Sequence, residues 1–429
     1  MGEAGDTIAL GACASQTGFG TPSSSVLWCN TAKTSPLTAV SKVGYFINTT
    51  GGAVTVTLPS SPSAGDVVAI KDYAGTFGTH NVTVGRAGSK IGGRCQDADL
   101  STKGDSITLV YVDGTQGWIN VNTDDTVAGA PLFICASGGT ITTVCTDYKV
   151  HTFTGNGIFT VCTAPTPANN NVSYMVVGGG GGSGSSGGNS AGGGGAGGFR
   201  EGKTPATPYT ASPLVAPAGL PVSAGTYPIT VGAGGAGAPG NPGSPETPGV
   251  QGINSIFSSI TSAGGGFGAG PSAPGVGGPG GSGGGGAGGG FCRAGGTGNT
   301  PPTSPAQGFN GGTSPSPGSD TQGGGGGGAS AVGTNASPGT SGSGGNGVST
   351  EISGAAVTRG GGGAGGAYTP AGKSMGSAGT GGGGGTNANA AGDDGTVNTG
   401  GGAGGPSSNS SVDGGTGGPG VVIIRYKFQ

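Results

Sequence analysis

Charge is scarce in this chain. Charged residues fill 8% of its 429 positions, aromatic residues 5%, and its only histidines are His80 and His151. Fifteen Lys and Arg, a formal net charge of -3 and no basic run leave little to neutralise phosphates, so no nucleic-acid partner is expected. No apolar run approaches the roughly 20 residues that span a bilayer, which predicts no membrane insertion. The opening Met1-Gly2-Glu3-Ala4-Gly5-Asp6 places acids where a secretory signal needs a basic region, so Sec-type export is not expected. The cysteines, Cys13, Cys29, Cys95, Cys135, Cys145, Cys162 and Cys292, contain no C-x-x-C pair. Their spacing supports neither a zinc site nor a regular disulfide framework, so no metal and no cofactor are expected. Cys135 and Cys145 are spaced to meet across a hairpin. The plainer reading is a set of buried free thiols in a protein assembled in the cytoplasm.

Catalytic constellations are missing too. Gly372-Lys373-Ser374 has the end of a phosphate-binding loop, but Ala367 stands where its first glycine belongs, and no helix-forming sequence follows. Asp124-Asp125 and Asp393-Asp394 lie in short polar turns with nothing to separate their pKa values, as paired acid–base catalysis requires. The chain is therefore not expected to be an enzyme, and no catalytic residue is assigned.

Glycine takes up the space. There are 111 glycines, 23 before Asn171 and 88 from there on, so two different materials are joined end to end. Residues 1–40 are Ser/Thr/Gly-rich and read as a connector. From Lys42 to Thr123 the pattern becomes short β-branched runs, among them Ala53-Val54-Thr55-Val56-Thr57-Leu58 and Asp66-Val67-Val68-Ala69-Ile70. Val54, Val56 and Leu58 alternate onto one face, and turn-forming stretches bound each run. A small antiparallel sandwich is predicted. The series YFINTTGGAVTVTLPSSPSAGDVVAIKDYAGTFGTHNVTVGRAGSKIGG, followed by SITLVYVDGTQGWI, resembles a β module of phage tail fibres and other structural proteins, especially in phages of marine bacteria. That resemblance implies a fibre component, commonly trimeric, and no catalysis.

The later glycine runs are not Gly-X-Y triplets, which excludes a collagen axis. Consecutive glycines can instead take the threefold extended conformation of polyproline II, rising about 3.1 Å per residue with no internal hydrogen bonds. Each amide must then pair with another segment, and without Cβ atoms the segments can approach closely enough to do so. Ordering glycine is entropically expensive, so one run alone reads as a flexible linker. Many runs in one chain can fold together. HTFTGNGIFTV…VSYMVVGGGGG at one end and GGTGGPGVVIIRYKF at the other resemble strands that open and close the glycine-rich domains of phage fibres. The region as a whole is similar to the glycine-rich tip adhesins of T-even-type phages, in which polyglycine helices support variable recognition loops.

The expected fold is all-β with almost no α-helix. It comprises a connector (1–40), a β-sandwich module (41–124), a linker with opening strands (125–177), and a polyglycine-II bundle (178–429) closed by a strand at 421–428. Large side chains among the glycines either plug the bundle or face a ligand. Phe257 reads as a plug, whereas Phe291, Arg293, Tyr368 and Lys373 are the candidates for receptor contact. The resemblance implies a virion tail-fibre protein, homotrimeric and attached through its N-terminal part to other tail proteins. It would be assembled in the host cytoplasm and adhere to a bacterial surface protein or polysaccharide. A structural filament subunit without receptor binding is the alternative. An ice-binding glycine bundle fits poorly, because the loops are long and irregular.

Overall fold

The computed structural model describes residues 26–122, 133–165, 170–240, 246–272, 274–289, 292–315, 321–368, 373–407 and 410–428. Most of the connector, Asp124-Asp125 and Phe291 lie outside them. Among the described residues there is no helix, in line with the all-β expectation. Two compact units are present: Met1–Cys135 with Cys162–Asn170, and Ala136–Val161 with Asn171–Gln429.

The first unit contains β1 (Leu27–Lys33), β2 (Leu37–Thr38), β3 (Val43–Ile47), β4 (Val54–Thr57), β5 (Val67–Asp72), β6 (Val82–Gly85), β7 (Ala98–Leu100), β8 (Ser106–Asp113) and β9 (Gly117–Asn120). They form two sheets, ordered β1-β3-β5-β8-β9 and β2-β4-β6-β7. The predicted strands are there, but the first six pair in parallel: β1 with β3, β3 with β5, β2 with β4 and β4 with β6. Each segment crosses from one sheet to the other, so a strand meets the next but one in sequence, running the same way. Alternating residues determine which face is buried and leave strand direction open. Only the last strands close antiparallel, β6 with β7 and β5 with β8 with β9. Both inner faces meet in one core that includes Ile47, Val56, Leu58, Ile70, Val84, Leu100, Ile107, Leu109 and Trp118, all fully buried.

Asp72 pins the end of β5. Its carboxylate accepts backbone N–H groups from Gly75 at 2.9 Å, Thr76 at 3.2 Å, Phe77 at 3.3 Å and Gly104 at 2.9 Å. Burial opposes ionisation there. The four donors outweigh it and hold Asp72 below its ordinary 3.8.

The second unit, whose first and fourth strands begin and end in residues of the first, contains β10 (Cys135–Ser137), β11 (Thr140–Val144), β12 (Tyr148–Phe153), β13 (Gly157–Thr163), β14 (Asn171–Val177), β15 (Phe199–Gly202), β16 (Val215–Ala216) and β17 (Leu220–Pro221). It continues with β18 (Gly225–Thr230), β19 (Ser255–Phe257), β20 (Ile260–Ser262), β21 (Val348–Thr350), β22 (Val357–Arg359) and β23 (Val421–Lys427). The strands predicted to bracket the glycines pair directly: β14 and β23 are antiparallel, from Ser173 opposite Arg425 to Val177 opposite Val421. Met175, Val177, Phe199, Val421 and Ile423 share a core with Val150, Val348 and Ile352. Phe257 is a plug as expected, fully buried, with its ring 6.0 Å from Phe159.

Beyond β14 the amides of residues 178–186 take three directions in turn. Gly178 and Gly181 donate to Gly198 and Gly195. Gly179, Gly182 and Ser185 donate to Ile253, Val250 and Thr247, and Gly180, Ser183 and Ser186 to Gly418, Gly415 and Val412. A partner met every third residue is the mark of the threefold extended helix. The partner numbers fall by three at each step, so these neighbours run antiparallel.

Residues 192–198 lie deeper still. Their amides donate to segments 263–269, 324–327 and 400–403, while their carbonyls accept from Gly181, Gly285, Ser282 and Gly363. Strands of glycine therefore surround this segment on all sides, and backbone polarity forms the core. A Cβ on Gly194 would lie 2.1 Å from the Gly181 carbonyl oxygen, and one on Gly326 would lie 1.9 Å from that of Gly194. Such approaches leave no room for a side chain, which is why the sequence here is glycine.

Candidate functional site

The runs reverse direction at each turn, which gives the bundle two ends. Residues 178–186 lead away from β14, 192–198 return to β15, 232–239 lead away from β18, and 247–253 return to β19. At the strand end lie the β19–β20 and β21–β22 hairpins and the loop 299–307. That loop is organised by Asn299, whose Oδ1 accepts the amides of Thr303 at 3.0 Å and Gln307 at 3.2 Å. Gln307 is fully buried and accepts the Ala263 amide at 2.8 Å.

Among the described residues the opposite end has no strands, only loops tied to one another. Ser186 bridges Val412, Ser185 accepts the Thr247 amide at 3.2 Å, and Ala390 bridges Ser407. Ser407 is a hub: its hydroxyl accepts the Ala367 amide at 2.9 Å and meets the Thr386 hydroxyl at 2.6 Å. Thr340 bridges Ser374, and Asp413 accepts the Gly240 amide at 2.6 Å. Small hydroxyls and carboxylates here bond the amides that the glycine lattice leaves over at its edge.

The described candidates for receptor contact all fall at this loop end. Tyr368 is half-buried, just past the run that ends at Ala367, and Lys373 is half-buried beside Ser374. Arg293, expected to face outward, is instead 9% exposed. Its guanidinium donates to the Gly288 carbonyl at 3.1 Å, and its own amide donates to Ser314 at 2.9 Å. Burial lowers its pKa, with the Glu246 charge opposing. Side chains are so scarce in this region that a long cation serves the scaffold as a filler and carbonyl partner. Arg293 thus belongs with segments 288 and 314, whereas Lys373 adjoins the turn at 337–341. Phe291 lies outside the described residues.

Glu246 was not singled out by sequence reasoning. The Ser272 hydroxyl donates to its carboxylate at 3.1 Å, and a Cβ on Gly187 would lie 2.7 Å from that carboxylate. A lone acid in a chain this poor in charge was the available signal. Asp393 and Asp394, set aside as solvated turn residues, are exposed and hold backbone and amide groups: Asn387 donates to Asp393 at 3.0 Å and the Thr416 amide to Asp394 at 2.7 Å.

A lattice of glycine segments rooted on a paired sheet and ending in side-chain-bearing loops defines a glycine-rich domain. The glycine-rich domain family matches residues 152–427, and the chain belongs to that family. The match begins within β12 and ends with β23, so it includes the strands on both sides of the bundle. No curated protein matches the chain.

Proposed function

We propose that the chain is a virion tail-fibre component whose glycine bundle presents its loop end to a bacterial surface protein or polysaccharide. One observation carries the reading: among the described residues the runs turn at one of two ends, and the loops at the end where no strand is described are tied by side chains bonded to edge amides. A rigid body that gathers side-chain-bearing loops on one surface suits recognition. The resemblance of the N-terminal module to fibre modules adds a stalk on which copies would associate, and several modest loop surfaces on one stalk give avidity. Burial of Arg293 shifts the expected contacts toward Tyr368, Lys373 and the neighbouring loops.

The test is electron microscopy of the purified chain mixed with a panel of bacterial cells, with the N-terminus labelled. Attachment of discrete elongated particles by the end away from the label supports the proposal. Indefinite head-to-tail polymers that ignore cells would replace it with the filament reading.

A further inference from the structure

Three cysteines far apart in sequence come together in the first unit. Cys95 precedes β7, Cys135 is the first residue of β10, and Cys162 lies near the end of β13, yet their sulfurs are all within 4.8 Å of one another. All three are free thiols and half-buried. Cys29 is disulfide-bonded, whereas Cys135 and Cys145 are free rather than bridged, and Cys145 is exposed, not buried as the free-thiol reading had it.

We propose that Cys95, Cys135 and Cys162 form a binding site for a thiophilic d10 metal ion, with Zn²⁺ as the reference ligand. Tetrahedral zinc–thiolate bonds of about 2.3 Å place sulfurs roughly 3.8 Å apart, so a small contraction of the cluster brings all three into range. The positive charges of Arg86 and Lys90 lie close enough to act on Cys95. Each thiol gives up its proton to solvent as the cation enters. Three thiolates and Zn²⁺ sum to one negative charge, which Arg86 and Lys90 face. The fourth position falls to water.

Sequence spacing excluded zinc because it looks for ligand pairs close in the chain. Here the chain leaves the first unit after Cys135 and re-enters it at Cys162, so only the fold brings the ligands together.

The experiment uses the full chain, reduced and stripped of metal with a chelator. Cd²⁺ is the optical probe and Zn²⁺ the calorimetric one. The expected result is one ion per chain with a sulfur-to-metal charge-transfer band. Cys95→Ser should weaken binding by at least the roughly 10–100-fold that even outer-shell partners contribute, while Cys145→Ser and Cys292→Ser should leave it unchanged. A second readout needs no variant: Zn²⁺ should protect Cys95, Cys135 and Cys162 from alkylation and leave Cys145 and Cys292 reactive. A missing band, equal loss in Cys292→Ser, or alkylation of Cys95, Cys135 and Cys162 regardless of Zn²⁺ would each overturn the site.

Discussion

Val177 and Val421 face each other across β14 and β23, so the chain enters the glycine bundle and leaves it at adjacent positions. That pairing closes the long loop formed by the whole bundle. With the ends fixed, each glycine run adds neighbours to a lattice that is already anchored, which offsets the entropy of ordering residues with no side chain.

The lattice should therefore be intolerant of a single methyl group at its centre. Gly194→Ala places a Cβ 2.1 Å from a backbone oxygen that cannot move aside without shifting its own neighbours. A loss of at least about 1–3 kcal/mol is expected, as for overpacked cores. Gly155→Ala, in the same unit with nothing within 4 Å of the added carbon, should be nearly neutral. Thermal unfolding of both variants checks this; equal melting temperatures would mean that the bundle is not a close-packed lattice.

Much of the plan was legible. Val54, Val56 and Leu58 alternated as a strand face should, and the bracketing strands announced themselves as apolar runs against glycine. Parallel pairing of β3 with β5 was not legible, because the alternation that buries Val68 and Ile70 is the same whichever way the partner runs. Arg293 was misplaced for a related reason. A cation among glycines looks exposed by composition, yet a lattice of carbonyls provides acceptors that composition cannot show. The cysteine cluster depends on three separate strands or turns and left no local trace.

His151 should make the second unit sensitive to mild acid. It is fully buried, one ring nitrogen facing the Gly138 carbonyl at 2.7 Å and the other the Tyr426 hydroxyl at 3.0 Å. The carbonyl can only accept, so Nδ1 donates and Nε2 accepts from Tyr426. Burial, opposed by the Gly138 bond and aided by Lys149, holds its pKa below the ordinary 6.5. The unfolded chain then takes up the proton first. Stability is full above about pH 6.5 and falls as pH drops from there toward the folded value. Melting temperatures across that window should decline, and His151→Phe should flatten the slope; an unchanged slope would assign the effect elsewhere.

Asp72 acts in a lower window on the first unit. Its folded pKa is depressed, so its contribution is present above the ordinary 3.8 and is lost as pH falls through the folded value. Asp72→Asn removes charge from an acceptor of four amides and should cost about 1–3 kcal/mol near neutral pH. The variant should also lose part of its acid dependence below about pH 4, as read from the fluorescence of Trp118 in the core.

The loop end yields the prediction that separates scaffold from contact. Arg293→Ala removes a buried donor to the Gly288 carbonyl and should lower stability by about 1–3 kcal/mol. Lys373→Ala and Tyr368→Ala touch the lattice only at its margin and should change stability by about 0.5 kcal/mol or less. If the loop end adheres, those two variants should nevertheless reduce cell attachment severalfold. Ala355→Lys, on the exposed β21–β22 turn at the strand end, should leave attachment intact. Retained adhesion in the Tyr368 and Lys373 variants together with loss in Ala355→Lys would place the contact surface at the root of the bundle. The loops at the far end would then be only closures of the glycine lattice.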